Sequence, residues 1–140
     1  MIEVDPNFGD GIVAFRHYGT MTEREFTDLA ETVSHSAPHG AVLLLLDWLG
    51  IERWAFTALQ TDTLTAWRKV APAVKCAAIV HDQRSNRQAA WLGAVLRKEG
   101  VIVRSWSPQR VAAATAWLRA AHSLCNSASE DRNSRKDNRP

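Results

Sequence analysis

Residues 41–46 read Ala-Val-Leu-Leu-Leu-Leu, an unbroken apolar run closed by Asp47 and far too short to cross a bilayer. A run of this length without alternation reads as a buried strand that needs cover on both faces of its sheet. The chain beyond Asp47 repeats the requirement. Phe56, Leu59, Leu64, Trp67 and Val70 fall on one stripe of a helix stopped before Pro72, and Lys75 to Val80 is again strand-like. A third helix is capped near Ser85, turns Ala89, Leu92 and Leu96 inward and ends near Gly100. Val101 to Val103 makes a further strand, and Ser107 with Pro108 opens a fourth helix whose Val111, Ala114, Leu118 and Ala121 face the core, ending near His122. Strand and helix alternating over short connections imply right-handed crossovers and parallel strands.

Ahead of this series, Ile2 to Val4 and Ile12 to Tyr18 are β-prone, separated by Pro6, Asn7, Gly9, Asp10 and Gly11. They predict an opening hairpin, which makes the sheet mixed. Thr22 and Glu25 have capping-box spacing, Met21 and Phe26 stand at staple positions, and Phe26, Leu29, Ala30 and Val33 repeat at helical spacing, so a first helix is expected from about Thr22 to Ser34. The fold class is therefore α/β: a mixed sheet of about five strands, an N-terminal hairpin followed by alternating strands and helices.

A chain of 140 residues, 46% hydrophobic and carrying six Trp, fills one core. Residues 1–125 are expected to form that domain and residues 126–140, which hold no large apolar side chain, a disordered tail. Seventeen basic and fifteen acidic residues are mixed along the chain, so no basic stripe points to nucleic acid. Cys76 and Cys125 are far apart without metal-ligand spacing; no metal and no cofactor is expected, and Cys76 reads as a core hydrophobe. The N-terminus has neither the basic start nor the apolar stretch of a signal peptide, and no transmembrane segment is present, so a cytoplasmic location is expected.

In open α/β sheets ligands occupy the crevice beyond the carboxyl ends of the strands. Asp47, Trp48, His81, Asp82, Arg84, Ser105 and Trp106 are expected on that edge, with Trp54 nearby. Asp47 either accepts backbone N–H bonds in the following turn, the commoner use of a strand-end Asp, or meets a ligand. His81 and Asp82 form a proton-transfer pair only if they face each other, and no positioned nucleophile accompanies them. Arg84 and Arg87 flank Ser85 at a helix start, an anion site in principle and a solvated basic surface in the plainer reading, since no glycine-rich loop is present. Trp48, Trp54 and Trp106 roof a pocket or close a subunit interface, a homodimer included, or simply pack; Trp67, Trp91 and Trp117 belong to helices. Trp91 and Val95 stand off the third helix's stripe and widen its buried face or mark a contact surface.

Leu46, Asp47, Trp48, Leu49, Gly50, Ile51 and Glu52, followed by Trp54 and a helix, resemble the SpoIIAA-like or STAS-related family of small bacterial domains, as does the opening Ile2-Glu3-Val4-Asp5 with Gly11-Ile12-Val13. The resemblance covers about six-sevenths of the chain. In the anti-sigma-factor antagonists of that superfamily, a Ser at the start of the helix is phosphorylated. Read from the shared Asp-x-x-Gly, that segment falls on Ala55, Phe56, Thr57 and Ala58, so Phe56 occupies the acceptor position without a hydroxyl, and no phosphorylation site is carried over. The resemblance implies a non-enzymatic regulatory or binding domain acting through a protein partner or a small hydrophobic or anionic ligand. Kinship with CRAL-TRIO lipid-binding domains implies the alternative of a lipid carrier, which requires a closed cavity beneath Trp67 and Trp91. A third reading is an enzyme using Asp47, His81 and Asp82.

Overall fold

The computed structural model describes residues 2–9, 11–36, 42–56 and 60–121. The strands are β1 (Ile2–Gly9), β2 (Ile12–Met21), β3 (Val42–Trp54), β4 (Val74–Val80) and β5 (Ile102–Trp106). The helices are α1 (Glu23–His35), α2 (Thr61–Val70), α3 (Asn86–Lys98) and α4, described over residues 111–121. The expected tail, 126–140, lies outside the described residues.

One five-stranded sheet runs β1-β2-β3-β4-β5, antiparallel between β1 and β2 and parallel thereafter. Because strand order equals chain order, every right-handed crossover falls on the same side. Phe26, Leu29 and Val33 of α1, Trp67 and Val70 of α2, and Leu92 and Leu96 of α3 accordingly share one core with Phe15, Leu44, Leu46 and Ile79 of the sheet. The opposite face, Ile12, Ala14, Leu43, Leu45, Cys76 and Ala78, is covered by α4 through Ala114 and Leu118. Cys76 is thus the core hydrophobe expected of it.

Local signals act as read at several points. Thr22 Oγ1 accepts the Glu25 N–H at 3.1 Å, and the flanking Met21 and Phe26 are both buried. After α3, Gly100 has φ 92°; the Val101 N–H reaches Leu96 O and its own N–H reaches Arg97 O, the paired bonds of a Schellman ending.

Other boundaries differ. Gly9 pairs with Ile12, so β1 runs through the segment expected as a turn, and Pro6 falls within the register shift between Asp5 and Gly9 on an edge strand, where a missing N–H is tolerated. β3 does not stop at Leu46. It continues to Trp54 because β2 also continues, pairing Tyr18 with Gly50, Gly19 with Ile51 and Met21 with Trp54. Gly50 is required at this irregular pairing: a Cβ there would lie 2.5 Å from the His17 carbonyl oxygen. α2 begins at Thr61, later than the Phe56 stripe suggested. Glu23 of α1 accepts the Gln60 N–H at 2.9 Å and the Thr63 hydroxyl at 3.2 Å, satisfying the start of α2 from outside. Phe56 lies before the helix and stacks on Phe26 at 5.8 Å; Thr57 lies outside the described residues.

Candidate functional site

A crevice forms where neighbouring strands send their following helices to opposite faces of a sheet. Only β4 and β5 do so: α3 joins the face already holding α1 and α2, whereas α4 crosses the other. Beyond the carboxyl ends of these two strands lies an open depression of about 450 Å³. His81, Asp82, Gln83 and Asn86 line it from the β4 side, and Ser105, Trp106 and Ser107 with Pro108 and Gln109 from the β5 side. The His81 N–H bonds Trp106 O at 3.1 Å and ties the two walls together.

Of the residues expected on this edge, His81, Asp82, Ser105 and Trp106 meet in the crevice. Asp47, which pairs with Val80 at the end of β4, does not line it, nor do Trp48 and Trp54, which β3 carries beyond that level. Asp47 lies within β3, its Oδ1 accepting the Leu49 N–H at 3.1 Å and its Oδ2 3.7 Å from Arg16 Nε. Trp48 is 0% exposed and packs beneath the helices against Phe26 (6.1 Å) and Trp54 (5.0 Å), so it roofs nothing. Trp54 donates its indole N–H to Ser85 Oγ at 2.9 Å, and Ser85 stands at the N-cap position of α3, as expected, without a side-chain cap bond. Asp82 caps the short turn Gln83–Ser85 ahead of it, accepting the Arg84 N–H at 2.9 Å.

Arg84 is lost to an anion site by the same residue. Its guanidinium bonds Asp82 Oδ2 at 2.8 Å, which holds the Asp82 carboxyl below the usual carboxylate range and pushes Arg84 up. The enzymatic constellation does not assemble. Asp47 and Asp82 have other partners, and His81 Nδ1 is 3.0 Å from the Asp82 carbonyl oxygen; a carbonyl only accepts, so Nδ1 carries hydrogen and Nε2 is left for the crevice. Among the described residues no group of three or more His, Cys, Asp or Glu could hold a metal ion.

Trp106 is 7% exposed, and its Nε1 has no hydrogen-bond partner. Arg104 and Arg110 lie over its ring, at 4.4 and 5.6 Å from the centroid. Neither arginine was singled out from sequence, although the period-2 spacing of Arg104 and Trp106 puts both on one face of a strand. The space beneath Trp67 and Trp91 is filled. Phe26, Trp48, Trp67, Leu92 and Leu96 have no accessible surface, so no void large enough for water touches them, and Trp91 and Val95 widen the buried face of α3.

No helix among the described residues is long and apolar enough to cross a membrane. No curated protein matches the chain. In three dimensions it is similar to an uncharacterized protein of the DUF3478 family with a SpoIIAA-like fold from Shewanella loihica PV-4: TM-score 0.59, 16% identity, 84% of this chain and 92% of the other covered. The SpoIIAA-like family model matches residues 12–119, most of the chain and all of the parallel sheet, and the chain belongs to the SpoIIAA-like family.

Proposed function

We infer that the chain is a non-enzymatic binding domain whose small ligand occupies the β4/β5 crevice. The observation that carries this reading is the depression itself, built from two strand-end loops at the one place where the helices diverge. Beside His81 and the Arg84-paired Asp82, its polar lining is made of carboxamides and hydroxyls, groups that orient a ligand. Of the enzymatic alternative's groups, Asp47 holds the Leu49 N–H and pairs with Arg16 while Asp82 pairs with Arg84, and among the described residues the core around Trp67 that the carrier alternative would need open is packed.

Native mass spectrometry of freshly purified protein, followed by a thermal-shift panel of small soluble compounds, tests the assignment. Asn86→Trp is placed to fill the depression from an exposed position. The expected result is a retained or stabilising compound in the wild type that is lost in Asn86→Trp, whose own Tm is unchanged. Binding untouched by this variant would refute the location.

A further inference from the structure

We propose that the ligand of this crevice is an uncharged sugar or sugar-like polyol, held through its hydroxyls by the carboxamides and hydroxyls of the two strand-end loops. This rests on the crevice being the binding site and adds the chemical class.

Charge comes first. Among the described residues that line the depression, Asp82 is the only carboxylate, and no Lys or Arg lines it. Arg84 holds that carboxylate from its Nε at 3.2 Å and its Nη2 at 2.8 Å, while its backbone N–H takes the other oxygen at 2.9 Å. A charged ligand therefore meets no free counter-charge in the lining, and the cost of drying its charge there goes unrepaid.

Hydrogen-bonding capacity comes second. Gln83, Asn86 and Gln109 bring carboxamides to the depression, and Ser105 and Ser107 bring hydroxyls. Among the described residues none of these five side chains has a hydrogen-bond partner. Each carboxamide offers two donor hydrogens and an acceptor oxygen, and each hydroxyl is donor and acceptor at once. His81, whose Nδ1 faces the Asp82 carbonyl oxygen at 3.0 Å, adds Nε2 as an acceptor. A sugar hydroxyl has the same double character, so two neighbouring hydroxyls engage both ends of one carboxamide. A bare anion uses the donors alone and leaves every acceptor turned against its charge.

Geometry comes third. These groups stand on two walls, one following β4 and one following β5, and the His81 N–H bond to Trp106 O fixes the walls relative to each other. A ligand with hydroxyls around its rim bridges them without ordering either wall anew. Pro108, exposed between Ser107 and Gln109, supplies hydrocarbon for the C–H face of a sugar ring. A flat aromatic ligand finds no indole platform, because Trp106 is 7% exposed and carries the Arg104 and Arg110 guanidinium groups over its ring. The site differs from the Arg84 and Arg87 anion site suggested by sequence, since Asp82 has removed Arg84.

The test is a titration of the ¹⁵N-labelled full chain with glucose, ribose and myo-inositol in turn, with cytosine and, at constant ionic strength, inorganic phosphate as contrasts. The side-chain amide signals of Gln83, Asn86 and Gln109 are identified by their loss in the single alanine variants. At least one of the polyols is expected to move these signals saturably, whereas phosphate and cytosine are not. Asn86→Ala/Gln109→Ala is expected to weaken the apparent affinity about tenfold with an unchanged urea midpoint. Unaltered affinity in that double variant overturns the proposal. Saturable movement of the same signals by phosphate or cytosine, with or without a response to the polyols, overturns the chemical class and leaves the crevice standing. Saturable shifts confined to amides outside the crevice, or silence or strictly linear drift with every probe, overturn both the class and the site.

Discussion

His17 provides a quantitative test of how the sheet is buried. It is 2% exposed, both ring nitrogens lack partners, and burial pushes its imidazole down to about 4 from an ordinary 6.5. The unfolded chain therefore binds a proton between these values that the folded chain refuses. Stability tied to the neutral ring is fully present above pH 6.5 and drains away as pH falls toward 4. At 1.36 kcal/mol per unit, the loss attributable to this one residue reaches about 3 kcal/mol by pH 4. Carboxylates titrate over the same range, so the measurement is a difference: urea midpoints of the wild type and His17→Leu between pH 7 and pH 4. The wild type is expected to lose about 3 kcal/mol more than the variant. At pH 7, His17→Leu is expected to be no less stable by more than about 1 kcal/mol, since it removes two unpaired polar atoms together with the ring. Parallel pH curves for the two proteins would falsify the burial argument.

Trp48→Ala should cost about 3 to 5 kcal/mol in urea unfolding, because a fully enclosed indole leaves a cavity; an unchanged midpoint would contradict the placement of Trp48 in the core. Gly50→Ala should lower stability by about 1 to 3 kcal/mol, as its Cβ meets the His17 carbonyl, and a Tm equal to that of the wild type would show the β2/β3 pairing to be wrong. Trp54→Phe and Ser85→Ala, measured singly and together, should couple by about 0.5 to 1.5 kcal/mol; additive losses would mean that the 2.9 Å bond contributes nothing.

Where the sequence was legible, the determinants were local. Thr22 and Glu25 cap α1 by contacts three residues apart, Gly100 ends α3 within two residues, and the run after Ala41 is apolar because two faces cover it. The extension of β3 was not legible, because Asp47-x-x-Gly50 looks like a turn and becomes strand only through pairing with β2, about thirty residues earlier. The candidate site was legible only in part, for a related reason. A strand-end tryptophan is exposed or buried according to which side its neighbour's helix takes, and that side depends on the order of all five strands. Hence Trp48 is enclosed in the core beneath α1, α2 and α3, while Trp106, buried in the core under α4, also borders the crevice. Arg84 differs again: Asp82, two residues earlier, captures it through ordinary helix-start chemistry, and that was readable from the local sequence.

The strand order has a consequence for how the molecule comes into being on the ribosome. Each strand after the first pairs with the one made just before it, so the sheet can grow by addition at one edge as the polypeptide emerges, with little loop-closure entropy opposing each step. The helices that cover the first face are made along the way. The second face has to wait. Ile12, Leu43, Leu45, Cys76 and Ala78 have been synthesised long before residues 111–121 arrive to cover them. A chain that has emerged through β5 but not yet through α4 therefore displays a nearly finished sheet with one bare apolar side, which makes the docking of α4 the step at which chaperone dependence and aggregation are decided.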